Sequence, residues 1–226
     1  RLRGAVRMST HAEEHAMKAR FIAFEGGEGV GKSTQAKRLV AALAERGIDA
    51  LLTREPGGTA GAEMIRELLL EPPGTGWLVQ AEAMLFAAAR SDHVAKAIKP
   101  ALMAGKWVVC DRFVLSSRAY QGLAGGLGDE EVKTLHKIGS GGLQPCRTFL
   151  LEAPTDQITE RLRRRDGDEA DAIGGRNERY HSDVARGFAG LAQDDDTIIQ
   201  INASGTEDEV HAAVMHGIKP LLVPAA

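Results

Sequence analysis

The chain has 226 residues, with 28 Lys and Arg against 31 Asp and Glu, a formal charge of −3. That length suffices for one α/β domain with a core of its own, and the charge balance excludes a protein whose whole surface coats nucleic acid or anionic membrane, though not a local basic site. Glycine is in surplus at 26 residues beside two Trp, two Tyr and six Phe, but 43% hydrophobic residues argue against disorder of the whole chain.

Residues 1–19 hold Arg, Glu, His and Lys but no apolar stretch, so they read as a leader or extension without order rather than a secretory signal. Residues 20–25 are a short apolar strand ending in a glycine cluster. Residues 31–46 place Ala36, Leu39, Val40 and Leu43 at helical spacing, with Gly47 as the stop. Residues 48–53 predict a second strand, and Thr59 caps a helix running to Leu70. After a Pro- and Gly-rich loop at 72–76, residues 80–104 predict one long helix kinked at Pro100. A third strand covers 106–111. The stretch 115–140 is mixed, with a glycine loop at 125–128 before another helix. A fourth strand (147–153), a helix (156–165), a polar segment without core pattern (166–175), a helix (178–192), a fifth strand (197–203) and a last helix (206–219) complete the pass.

Short β runs separated by helices predict a parallel sheet covered on both faces. The expected organisation is a single domain over residues 20–226, with a lid near 164–178 and no internal repeat. Cys110 and Cys146 build neither a disulfide framework nor a CxxC metal site, and Cys110, inside an apolar run, reads as a buried thiol. The longest apolar run, 83–89, is too short to cross a bilayer. A reducing cytoplasm fits best. No histidine pair has metal-ligand spacing, and His93 reads as a packing residue.

The sharpest signal is Gly26-Gly27-Glu28-Gly29-Val30-Gly31-Lys32-Ser33, which matches G-x-x-x-x-G-K-[ST] between a strand and a helix. Glycines let the backbone curl so that several N–H groups aim at one phosphate, and the following helix adds its positive end. The residues expected on ATP are Gly26 through Ser33, with Thr34. Lys32 would reach the β- and γ-phosphates and Ser33 would take Mg²⁺. The loop predicts the α/β P-loop NTPase fold, a three-layer sandwich around a five-stranded parallel sheet. It does not say what is phosphorylated.

Four further segments narrow the choice: Thr53-Arg54-Glu55-Pro56-Gly57-Gly58-Thr59, Phe86-Ala87-Ala88-Ala89-Arg90, Asp111-Arg112-Phe113, and Ser116-Ser117-Arg118-Ala119-Tyr120-Gln121-Gly122. Phe86 and Arg90 share a helical face, so a ring can stack on a base while a guanidinium bonds its carbonyl edge. Arg112 follows a strand end, where open α/β sheets bind ligands, and its fork suits a phosphate. In this order, after a P-loop, the segments resemble the bacterial thymidylate kinase family over about nine-tenths of the chain.

The resemblance implies transfer of the γ-phosphoryl of ATP to dTMP, Mg²⁺, a homodimer, and nucleotides rather than nucleic acid or membrane as partners. It implies that Arg54, Glu55, Pro56, Arg66, Phe86, Arg90, Arg112, Ser117, Tyr120 and Gln121 form the dTMP site, Tyr120 crowding the 2′ position. Lys32, Asp111, Arg112, Glu28 (on the sugar 3′-OH) and a lid arginine would form the catalytic set, with Ser33 and Asp111 holding Mg²⁺, partly through water. The chain departs from the family where an Asp-Arg pair is usual: here stand Asp171 and Ala172, so Arg176 is the favoured lid cation, with Arg179 or the run Arg161, Arg163, Arg164 and Arg165 as alternatives. Glu152 stands where the family commonly has Asp. Another nucleoside monophosphate kinase, and a non-catalytic nucleotide-gated module, are the competing readings.

Overall fold

The computed structural model describes residues 19–166, 174–193 and 195–222. Residues 1–18 of the expected N-terminal extension and residues 167–173 of the expected lid, Asp171 and Ala172 among them, lie outside the described residues. Five strands form one parallel sheet in the order β2-β3-β1-β4-β5: β1 (Phe21–Glu25), β2 (Ala50–Arg54), β3 (Trp107–Asp111), β4 (Arg147–Glu152) and β5 (Ile198–Asn202). The register pairs Phe24 with Asp111 and Glu25 with Leu150, so the acidic ends of β1 and β3 lie at the same edge of the sheet.

Parallel strands buried on both faces need two cores, and alternation along β1 supplies them. Ile22 and Phe24 face α1 (Lys32–Ala44) and α9 (Glu207–Ile218), packing with Leu39, Leu43, Phe149 and Val214. Phe21 and Ala23 face the opposite layer, with Cys110, Ile98 and Phe113. That layer contains α2 (Ala60–Leu70), α3 (Val79–His93), α6 (Asp129–Ser140) and α8 (Glu178–Gln193). Short α4 (Lys99–Met103), short α5 (Val114–Ser117) and α7 (Thr155–Asp166) complete the helices among the described residues. Cys110 is buried, as its apolar run predicts, and burial pushes its thiol up.

Two details depart from expectation for identifiable reasons. The second strand starts at Ala50, not residue 48, because the Ile48 N–H bonds the Leu43 carbonyl to close α1 behind Gly47 (φ 72°). The long helix does not bend at Pro100 itself. A π turn over Val94–Ile98 opens just before it, with the Lys99 N–H reaching back to the Val94 carbonyl, and the wider turn accommodates a ring that an α-helix would force against the preceding carbonyl. A second π turn, Arg118–Ala124, follows α5 and carries Tyr120 and Gln121.

Candidate active site

The chain leaves β1 towards β2 on one side of the sheet and later returns to β4 on the other, so the loops diverge at the carboxyl ends of β1 and β3. The phosphate loop fills that opening. Gly26 (φ 128°) passes so close to β4 that a Cβ would stand 2.3 Å from the Leu151 carbonyl oxygen. Gly31 (φ 94°) is the left-handed N-cap from which α1 starts.

Lys32 is 6% exposed and donates to the Gly27 carbonyl. Burial, then the nearby Arg112 guanidinium, push its ammonium down to about 7, against the pull of Asp111, Glu28 and Glu25. Ser33 Oγ donates to Asp111 Oδ2, while Asp111 Oδ1 is buried without a hydrogen-bond partner. A hydroxyl beside a carboxylate with one unsatisfied oxygen is a donor set suited to a hard cation and its water, so these residues fit Mg²⁺.

Two cavities flank the loop. A groove of about 500 Å³ is bordered by Gly29 through Gln35 (Thr34 included), by Arg161 and Arg164 of α7, and by Ala203 and Gly205. On the other side lies a cavity lined by Glu28, Glu55, Pro56, Arg66, Phe86, Arg90, Arg112, Ser117, Tyr120 and Gln121. Every residue expected on the acceptor except Arg54 lines it. Arg54 instead pairs with Glu63 at 3.1 Å, its side chain 56% exposed. Arg66 donates to the Pro56 carbonyl (2.9 Å), behind a cis Glu55–Pro56 peptide bond.

One wall of the cavity is a buried polar chain. Arg90 Nε donates to Glu55 Oε2 (2.6 Å), and its NH2 group donates to Ser117 Oγ (2.8 Å). The other Glu55 oxygen faces His93 Nδ1 at 3.1 Å, and His93 Nε2 lies 2.6 Å from Thr53 Oγ1. An ion-paired carboxylate only accepts, so Nδ1 carries a proton turned towards Glu55. His93 is therefore more than packing. A buried pair of this kind fixes position more than it adds stability, and it holds the guanidinium against the cavity.

Arg112 has a left-handed backbone (φ 69°), unusual for a side chain with a Cβ and a mark of local strain. Its NH1 donates to the Gly26 carbonyl (2.8 Å) and to Ser116 Oγ (3.1 Å), and the guanidinium lies 5.4 Å from the Tyr120 ring centre. Beneath it, Glu25 accepts from the Phe113 N–H (2.8 Å) and from Ser116 Oγ. Burial raises the Glu25 carboxyl to about 7 despite these bonds.

Arg176 is not brought to the phosphate loop. It donates to Glu82 and to the Tyr180 hydroxyl, and lies 4.6 Å from the Tyr180 ring centre. The sequence reading missed Glu25, Ser116 and Glu82. Glu25 was hidden as the last residue of an apolar strand. Glu82 had a usable signal: it stands four residues before Phe86 and eight before Arg90, on the same helical face.

A phosphate loop that shares its sheet edge with a second, arginine-lined cavity defines a P-loop kinase of small molecules. The sequence profile of thymidylate kinase matches residues 24–214. The chain is 53% identical to a thymidylate kinase of Rhizorhabdus wittichii, over 91% of this chain and all of that one, and 43% identical to that of Symbiobacterium thermophilum, over 89% and 94%. The crystal structure of a thymidylate kinase from Ehrlichia chaffeensis superposes with a TM-score of 0.73 at 30% identity, covering 89% of this chain and 99% of that one. The chain belongs to the thymidylate kinase family.

Proposed function

We propose that the protein transfers the γ-phosphoryl of ATP to dTMP, giving ADP and dTDP, within a single domain over residues 20–226. The observation that carries this reading is the Arg112–Gly26 hydrogen bond. It fixes the arginine facing the acceptor cavity onto the phosphate loop itself, so one cation stands where the two substrates must meet.

The chemistry needs positioning and charge neutralisation rather than a strong base, because the acceptor phosphate is already ionised. An acceptor oxygen forms the new bond to the γ-phosphorus as the bond to the β–γ bridging oxygen breaks, and ADP carries away the electron pair. Lys32 would hold the β- and γ-phosphates among the N–H groups of residues 26–34. Arg112 would hold the acceptor phosphate, with Arg66 beside it and Arg54 at the rim. Phe86 would stack on the base, Arg90, Ser117 and Gln121 would bond its edge, and Glu55 and Pro56 would shape the wall. Tyr120 would crowd the 2′ position and Glu28 would meet the sugar. Ser33 and Asp111 would hold Mg²⁺, which when bound supplies further positive charge to the transferred group. Arg176 would have to leave Glu82 to reach a phosphate, whereas Arg161 and Arg164 already border the donor groove.

A homodimer is part of the same proposal. Helices α2, α3 and α6 pack side by side and expose Met64 and Leu68, Met84, and Ile138 respectively, apolar area of the kind an interface covers. No helix among the described residues is long and apolar enough to cross a membrane. A cytoplasmic location rests on the two free cysteines.

The test is ADP release with dTMP, dUMP, UMP, AMP and GMP as acceptors. Fastest turnover with dTMP is expected, and faster turnover with AMP or GMP would overturn the reading.

A further inference from the structure

Glu82 stands behind the acceptor cavity without lining it. It is 5% exposed and lies on the face of α3 that carries Phe86 and Arg90. Its Oε1 accepts from Gln121 Nε2 at 2.8 Å, and its Oε2 accepts from Arg176. A carboxylate paired with an arginine has only acceptors to offer. The Gln121 amide must therefore turn its NH2 group to Glu82, and its carbonyl oxygen is the atom turned away. Gln121 lines the cavity and is itself 1% exposed. Glu82 is the hydrogen-bond partner that, among the described residues, distinguishes its two nearly isosteric amide orientations.

Arg90, a donor only, lines the same cavity, with Nε committed to Glu55 and its NH2 group to Ser117. An acceptor and a donor lining one cavity complement a ring imino N–H and its neighbouring ring carbonyl, the edge of thymine and uracil. Cytosine presents a lone pair next to an amino group, the reverse at both positions.

We propose that Glu82 is a positioning residue that fixes the Gln121 amide with its oxygen towards the substrate, and thereby makes the acceptor site select a 4-oxo over a 4-amino pyrimidine. This rests on the dTMP reading and adds to it the residue that sets the polarity of base recognition. It also assigns the two arms of Glu82 different work: the arm to Gln121 serves base choice, and the arm to Arg176 holds the segment that follows residues 167–173.

The experiment compares kcat and KM for dTMP and dCMP in the wild type, Glu82→Gln, Gln121→Met and Arg176→Lys. Glu82→Gln can hold the Gln121 amide either way round, and Gln121→Met removes the amide while leaving Glu82 paired with Arg176. In both, the dTMP-to-dCMP ratio of kcat/KM is expected to fall by about 10-fold or more, mainly through KM, the scale of one unpaired buried hydrogen-bonding group. In Arg176→Lys the ratio is expected to stay within about 3-fold, because a cation still pairs with Glu82 and the Gln121 arm is intact. An unchanged ratio in Gln121→Met or in a folded Glu82→Gln overturns the proposal, as does an equal fall in Arg176→Lys. If Glu82→Gln does not fold, the Gln121→Met ratio decides. A wild type that fails to phosphorylate dTMP overturns the functional reading as well, whereas an active wild type with unchanged ratios overturns this inference alone.

Discussion

Lys32 is a buried cation, and its ammonium is pushed down to about 7 by burial and by Arg112, which outweigh Asp111, Glu28 and Glu25. Bound phosphate reverses both effects by placing negative charge against it. At about pH 8 the free protein holds Lys32 mostly neutral and the ATP complex holds it charged, so ATP binding is expected to take up close to one proton. Calorimetry in two buffers of different ionisation enthalpy measures this, and zero uptake would show that Lys32 is already charged in the free protein. Arg112 cannot be neutralised in this way, since Tyr120, Asp111, Glu28 and Glu25 outweigh the effect of its burial and hold its affinity for the proton above the ordinary value. Replacing it by Ala removes a charge-stabilising donor, so Arg112→Ala is expected to lower dTMP turnover by about 100-fold. Turnover within a few-fold of wild type would show that another cation bears the acceptor phosphate. The residue types at this site were legible in the sequence because a phosphate loop needs glycines and a lysine at fixed spacing. The left-handed backbone of Arg112 and its bond to Gly26 were not, because both depend on β3 lying beside β1.

At the scale of elements, α9 shows how closely helix and sheet approach. A Cβ on Gly217 would stand 2.5 Å from Phe149 Cε1 and 3.0 Å from Ile199 Cδ1. Alanine would gain about 1 kcal/mol in helix propensity, but the Phe149 ring is fully buried and cannot swing aside. Overpacking of about 1–3 kcal/mol is expected to win, so Gly217→Ala should lower the urea midpoint, and a raised midpoint would show that the ring gives way. Helical spacing at Ala36, Leu39, Val40 and Leu43 made α1 legible, as the N-cap Thr59, whose Oγ1 accepts from the Ala62 N–H (3.2 Å), made the start of α2. The π turn that places Tyr120 and Gln121 was not legible, because a single widened turn leaves the apolar pattern almost unchanged.

At the scale of the whole molecule, Glu25 joins β1 to the segment after β3, where Ser116 also receives Arg112. Burial raises its carboxyl from 4.5 to about 7. Between those values the native state keeps a proton that the unfolded chain releases, so its contribution to stability falls as pH rises through that window and is level above it. The size is on the order of 3 kcal/mol. Urea unfolding of wild type and Glu25→Gln at several pH values between about 5 and 7.5 reads the difference between them, which cancels the other carboxylates. Wild type is expected to lose stability relative to Glu25→Gln across that range, and parallel curves would show that Glu25 is charged in the fold throughout.

The sequence by itself determined the α/β class, the order of strands and helices, the phosphate loop and most of the acceptor residues, because periodicity, glycine placement and short motifs are local properties of a chain. Tertiary structure alone decided which of these groups meet. It took Arg54 to Glu63 and Arg176 to Glu82, stacked Glu25, Ser116 and Arg112 across two strands, and linked Thr53, His93, Glu55 and Arg90 into one buried chain. For the buried groups the physical reason is that a charge or amide must be satisfied by whatever the packing brings within about 3 Å, and most of those partners lie tens of residues away in the chain.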